Sequence, residues 1–351
     1  ISLPYDEILK DSIRNYTASL ENRTFKPTLS YNLYQQLIAP VLAKNLRDHH
    51  NLLLVPDGLL TMISFESLVS APPSRATPAQ FLIEDYNITY SYSSLLNDFK
   101  NTQQDYQYTF VGFSPDYGNG DGNALASRSI TNEGELPPLP SARKEVANIS
   151  RIFDGRHLDG ADANETNFKE YAQGSKYLHL AAHAISDNSN PLFSKVVLKD
   201  QSNSEDGNIY AYEIYNMNLN ADLVVLSACN TGTGKFQKGE GVISLASSFK
   251  YAGSQNLVTS LWSVPDQPTS AIMNSFYQYL NDGKTKADAL RNAKLDYIKK
   301  ADANLINPYY WAGFILIGEL ESEQSSNLIW WLFSGSLLII ALAYFKFRKS
   351  N

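Results

Sequence analysis

Apolar residues in the first fifty positions recur at three- and four-residue spacing, as at Tyr34, Leu37, Ile38, Val41, Leu42 and Leu46. That period predicts amphipathic helix, and residues 1–50 read as a helical lead-in packed on the domain C-terminal to it. From Asn51 the pattern changes. Leu52 to Val55 is an unbroken apolar run stopped by Pro56-Asp57-Gly58, which predicts a short buried strand and a turn. Two further short runs lie at Tyr86 to Tyr92 and Tyr108 to Phe113. Between Ser114 and Gly134 the chain is rich in Gly, Asn, Asp and Ser, which predicts a surface loop. Ser141 opens a helix with Val146, Ile149, Ile152 and Phe153 on one face, closed by Gly155.

The second half alternates more regularly. Tyr177 to Ala182 predicts a strand ending at His183, and Leu223 to Ser227 a fully apolar strand ending at Cys229. Between them Asp200 to Asn208 is a polar loop. A helix is expected from about Gly241, with Val242, Leu245, Ala246 and Phe249 inward and Gly253 as its stop. Asn256 to Trp262 is another strand, Thr269 to Leu280 and Lys286 to Lys299 are helices, and Phe314 to Ile317 is a last strand. Strands that alternate with helices, and apolar runs without alternation, predict an α/β fold with a parallel sheet covered on both faces.

The tail reads differently. Leu328 to Phe345 is an uncharged stretch of eighteen residues, preceded by Glu319, Glu321 and Glu323 and followed by Lys346, Arg348 and Lys349. Its length and its Trp330, Trp331 and Tyr344 predict a transmembrane helix, with a basic tail at 346–351. The charge bias favours a C-terminus in the cytoplasm and the globular part outside, in a single-pass membrane protein, with a tail anchor and a cytoplasmic globular part as the alternative. The chain opens on Ile1 rather than Met, which reads as a fragment or a processed form whose signal peptide or upstream domain would not be seen here.

Composition narrows the function. The 351 residues carry a net charge of -7, which argues against a nucleic-acid partner, since phosphate contacts need clustered Lys and Arg. One cysteine and five histidines leave the spacings of a metal site unmet, and neither a metal nor a cofactor is expected. Thr231-Gly232-Thr233-Gly234-Lys235 fails as a phosphate loop, because Cys229 and Phe236 stand where Gly and Ser or Thr are required. It reads instead as a substrate-binding loop.

His183 and Cys229 come directly after two predicted parallel strands, 46 residues apart. Open parallel sheets place their chemistry at the carboxyl ends of strands. A thiolate attacks and a departing amine must be protonated, and histidine serves that need near neutral pH. The pair therefore predicts cysteine-nucleophile chemistry. His179, deeper in the same strand, reads as a core or support residue.

Several blocks carry a family resemblance. They are Leu53 to Leu68 (LLVPDGLLTMISFESL), Leu82 to Ser94, Leu136 to Val146 (LPPLPSARKEV), Tyr177 to Ala184 (YLHLAAHA), Asp222 to Gly234 (DLVVLSACNTGTG), Gly239 to Thr269 and Asn307 to Glu319. In order, and over about residues 30 to 319, they resemble the CHAT family, caspase-like peptidase domains often found after tetratricopeptide repeats. The resemblance implies a caspase-like three-layer sandwich over 51–319, with an N-terminal lobe at 51–135 and a catalytic lobe at 136–319. It implies a cysteine endopeptidase acting on a protein or peptide, in regulated signalling or defence, with upstream repeats or a regulatory partner. Cys229 would be the nucleophile, His183 would protonate the leaving amine, and the backbone N–H groups of Cys229 and Ala184 would form the oxyanion hole. Ala184 stands where many relatives carry Gly. Ser227 occupies the position where metacaspases carry an Asp that selects basic substrates, and Asp266 matches an acidic position common in the family. Both are substrate-binding candidates, although Asp266 could equally cap the helix after it. A non-catalytic CHAT module serving as an interaction platform is the alternative.

Overall fold

The computed structural model describes residues 5–44, 50–74, 78–91, 105–118, 136–187, 189–200, 206–227, 235–237, 241–243 and 245–318. In chain order the helices are α1 (Glu7–Glu21), α2 (Pro27–Leu37), α3 (Ala39–Leu42), α4 (Leu82–Asp85), α5 (Pro140–Ile152), α6 (Glu165–Tyr171), α7 (Ala211–Tyr215), α8 (Leu245–Tyr251), α9 (Asp266–Asn281) and α10 (Lys286–Lys300). The strands are β1 (Asn51–Leu54), β2 (Asn87–Tyr90), β3 (Tyr108–Pro115), β4 (Arg156–Gly160), β5 (Ser175–Leu180), β6 (His183–Ile185), β7 (Lys195–Val197), β8 (Asn208–Tyr210), β9 (Leu223–Leu226), β10 (Lys235–Gln237), β11 (Gly241–Ile243), β12 (Asn256–Ser260) and β13 (Phe314–Ile317).

The lead-in is helical for local reasons. Asp6 caps α1 by accepting the Leu9 N–H at 2.9 Å, and Leu9, Ile13, Tyr16 and Leu20 then bury one stripe against the rest of the unit. Each such apolar side chain contributes roughly 1.5–3 kcal/mol by leaving water. Gly155 is not the residue that closes α5. Asp154 turns the chain there at φ 49°, and Gly155 is needed because a Cβ would stand 2.7 Å from the Phe110 carbonyl oxygen.

Eight strands form one sheet in the order β1-β2-β13-β12-β9-β5-β3-β4. Every neighbouring pair is parallel except β12 and β13. The sheet is therefore two parallel blocks, β1-β2-β13 and β12-β9-β5-β3-β4, joined antiparallel. The reason lies in the connection: α9 and α10 cross the layer twice, so the chain returns to the edge it left, whereas one crossover helix gives a parallel neighbour. The strand expected to be buried at Leu52 to Val55 proves to be an edge strand, with Leu53 and Val55 exposed.

Side chains in a strand alternate between faces, and residues an odd number apart lie on opposite sides. Phe110 packs on Tyr277 of α9, while Phe113 packs on Phe168 of α6. Helices α5, α9 and α10 thus cover one face, and α6, tied to α7 by Lys169–Glu213, lies on the other. The result is a three-layer α/β sandwich with a mainly parallel sheet.

Two further expectations change. Gly241 to Ile243 is strand β11, paired antiparallel with β10, and the helix begins only at Leu245. Adjacent β-branched Val242 and Ile243 favour strand over helix. The single-pass membrane assignment is also withdrawn, since no helix among the described residues is long and apolar enough to cross a membrane. The longest, α9, has 16 residues, about 24 Å at helical rise, and carries a polar face. Leu328 to Phe345 lies outside the described residues.

Candidate active site

Strands β5 and β9 are adjacent and parallel, with Leu180 opposite Leu226. His183 lies three residues after Leu180, and Cys229 three residues after Leu226. Two parallel strands in register, about 4.8 Å apart, thus send the chain onward to the two residues from the same edge of the sheet. Residues 228–234, which include Cys229 and the glycine-rich stretch after it, lie outside the described residues.

His183 does not simply end β5. It opens β6, the first strand of a small antiparallel sheet, β6-β7-β8, in which His183 faces Val197 and Ala184 faces Val196. The side chain is fully buried, and Nε2 lies 2.7 Å from the Pro137 carbonyl oxygen. A carbonyl only accepts, so Nε2 carries a hydrogen and donates it there. That fixes the ring and commits Nε2 to Pro137. Tyr117 holds the other side. Its hydroxyl accepts the His183 backbone N–H at 2.9 Å and donates to the Val197 carbonyl at 2.6 Å, and its ring meets the imidazole edge-on with centroids 4.5 Å apart. Ala184 is buried beside it.

Removing only that hydroxyl isolates its contribution. Tyr117→Phe is expected to cost roughly 1–3 kcal/mol, because it deletes the partner of a buried N–H while keeping the ring. Chemical denaturation of the two proteins measures it, and equal midpoints would show that the hydroxyl does not anchor His183.

The two substrate-binding candidates have partners inside the fold. Ser227 is fully buried, and its Oγ donates to Glu145 Oε1 at 3.0 Å. Asp266 is the first residue of α9 and almost wholly buried, and it reaches across to a second helix. Its Oδ2 accepts the Ser141 N–H at 2.7 Å, satisfying one of the amides left open at the start of α5. His179 is a buried support residue, with Nε2 2.8 Å from Glu145 Oε1 and Nδ1 3.2 Å from the Tyr277 hydroxyl. Burial, and then the charge of Glu145, push that hydroxyl well above its ordinary pKa of 10. Among the described residues no group of three or more His, Cys, Asp or Glu side chains could hold a metal ion.

Sequence reasoning missed Tyr117, Pro137 and Glu145 as site components. Tyr117 was hidden in a stretch whose Gly and Asn content marks loop. The one signal for Glu145 is that it falls on the same helix face as the apolar Ala142, Val146 and Ile149.

A model of the CHAT domain matches residues 28–319. The chain belongs to the CHAT domain family. Tetratricopeptide repeat protein 28 of Homo sapiens is 26% identical over 357 residues, covering 89% of this chain and 14% of that protein. This chain thus spans about one-seventh of that relative's length. The CHAT chain is also similar in fold to the Arg-specific cysteine proteinase gingipain R, at a TM-score of 0.51 and 11% identity, over 90% of this chain and 74% of that one. The complex of Porphyromonas gingivalis RgpB pro- and mature domains gives a TM-score of 0.50 at 11% identity, over 90% of this chain and 77% of the other. At that identity the likeness is one of fold, and it agrees with the sandwich described above.

Proposed function

We propose that this CHAT domain is a cysteine endopeptidase acting on a protein or peptide, with Cys229 as nucleophile and His183 as its proton-transfer partner. The observation that carries the reading is the register of β5 and β9, which lead to the two residues from paired positions at one edge of the sheet. The tautomer set by Pro137 supports it: with Nε2 committed there, Nδ1 would be the nitrogen that takes the thiol proton and delivers it to the leaving amine. In this reading the N–H groups of Ala184 and Cys229 receive the oxyanion, and the residues after Cys229 meet the substrate. Ser227 and Asp266, both buried, would shape the site from beneath. Repeat units upstream, of the kind the human relative is named for, would present or regulate the substrate.

One observation favours a second reading. His183 is fully enclosed, as a purely supporting histidine would be, and the domain would then be a binding module. A cysteine-directed covalent peptide probe separates the two. The peptidase reading expects labelling of the wild type at Cys229 that competing peptide slows and that His183→Ala reduces strongly. Labelling indifferent to peptide and to His183 would favour the module.

A further inference from the structure

We infer that Glu145, with His179, is a positioning residue that holds the nucleophile's strand against the histidine's, an inference that rests on the function proposed above. The observation is a fully buried polar junction. Glu145 Oε1 accepts from Ser227 Oγ at 3.0 Å and from His179 Nε2 at 2.8 Å, and His179 Nδ1 reaches the Tyr277 hydroxyl at 3.2 Å. Glu145, His179 and Ser227 have no measurable exposure. Three elements therefore meet at one carboxylate, α5, β5 and the end of β9, and α9 joins them through His179.

Their connections make this more than a core contact. Ser227 lies two residues before Cys229, and His179 lies four residues before His183 on the other arm. Helix α5 also begins three residues after Pro137, whose carbonyl fixes His183 Nε2, and its Ser141 amide is held by Asp266. Both arms of the dyad are thus referred to the same helix, one through Pro137 and one through Glu145. An acid and an imidazole placed in an apolar core must be desolvated, and well-packed apolar side chains would generally hold the layers together as well or better. What a short, directional junction adds is registry. A displacement of about 1 Å between reacting groups can cost on the order of a hundredfold in rate.

Cys229 is the only cysteine in the chain, so alkylation by iodoacetamide reads that one thiol, with no peptide substrate required. The rate should be measured near neutral pH on the full chain and on Ser227→Ala, Glu145→Ala, Glu145→Gln and His183→Ala, with thermal unfolding of each. We expect Ser227→Ala and Glu145→Ala to slow alkylation roughly tenfold to a hundredfold. Glu145→Gln retains an oxygen that accepts from Ser227 and should keep most of the rate. Ser227→Ala changes one small atom and keeps the test open if Glu145→Ala does not fold. Folded Ser227→Ala protein alkylating at the wild-type rate would overturn the positioning role. Wild type reacting no faster than His183→Ala would instead remove the dyad itself, and with it anything to position.

Discussion

His183→Ala is expected to slow peptide-bond cleavage by roughly 10²–10⁴-fold, the usual contribution of a positioned acid–base group. The Pro137 carbonyl takes the Nε2 hydrogen, and in the proposed mechanism Nδ1 handles the reacting proton. A side chain that donates through Nε2 alone would satisfy Pro137 but could not shuttle a proton. His183→Gln should therefore recover fold stability relative to His183→Ala without recovering turnover. That split is the informative part. If the histidine were only structural, the variant that restores stability would restore function too. Turnover and denaturation midpoints on the same preparations decide between the two outcomes.

The second large effect belongs to stability. Lys294 of α10 is fully buried, and its Nζ donates to Glu66 Oε1 at 2.8 Å and to the Phe314 carbonyl at 2.5 Å. Glu66 is also buried and accepts from Ser64 and, at 3.4 Å, from the Tyr90 hydroxyl. The pair fastens α10 to β13 and to the N-terminal part of the sheet. Glu66→Ala strands a buried ammonium, and a loss of roughly 3–5 kcal/mol is expected. Lys294→Met in the same protein should restore much of it, because no unpaired charge then remains.

The pH dependence of the single variant has a definite sign. Burial already holds the Lys294 pKa below 10.5, and Glu66 opposes that shift. Without Glu66 the folded-state pKa falls further. Between that value and the unfolded value the unfolded chain binds more protons, so the stability of Glu66→Ala rises as pH is raised. Its deficit against wild type should shrink toward alkaline pH. A deficit that stays constant from neutral to alkaline pH would mean that the cost is packing rather than charge.

Much of the fold is legible in the chain's own pattern. The continuous apolar run at Leu223 to Leu226 has no alternation to spoil, Asn256 to Ser260 carries Leu257 and Val258 at its centre, and both are central strands. The amphipathic periods of α1, α5 and α9 are equally plain. Where the pattern misleads, there is a physical cause. Leu52 to Val55 is apolar enough for a central strand, but strand order is a long-range property, and the run sits at an edge. The helix expected from Gly241 merges a β-branched strand with the helix after it, because short apolar runs fit either period. A transmembrane helix is suggested by hydropathy alone, and no described helix supplies one. For the site, residue types at strand ends point to His183, and Asp266 is noticeable too. The pairing of Asp266 with Ser141 across 125 residues, and of Glu145 with Ser227 across 82, depends on layer packing that no local pattern encodes.

The central claim is that Cys229 and His183 cleave peptide bonds, and product analysis tests it most directly. The full chain would be incubated with a complex peptide mixture, and newly formed termini identified by mass spectrometry, beside folded Cys229→Ala and His183→Ala controls. The account predicts new termini clustered at a restricted set of residue types with the wild type, and their absence with Cys229→Ala. The same termini from folded Cys229→Ala protein would contradict it.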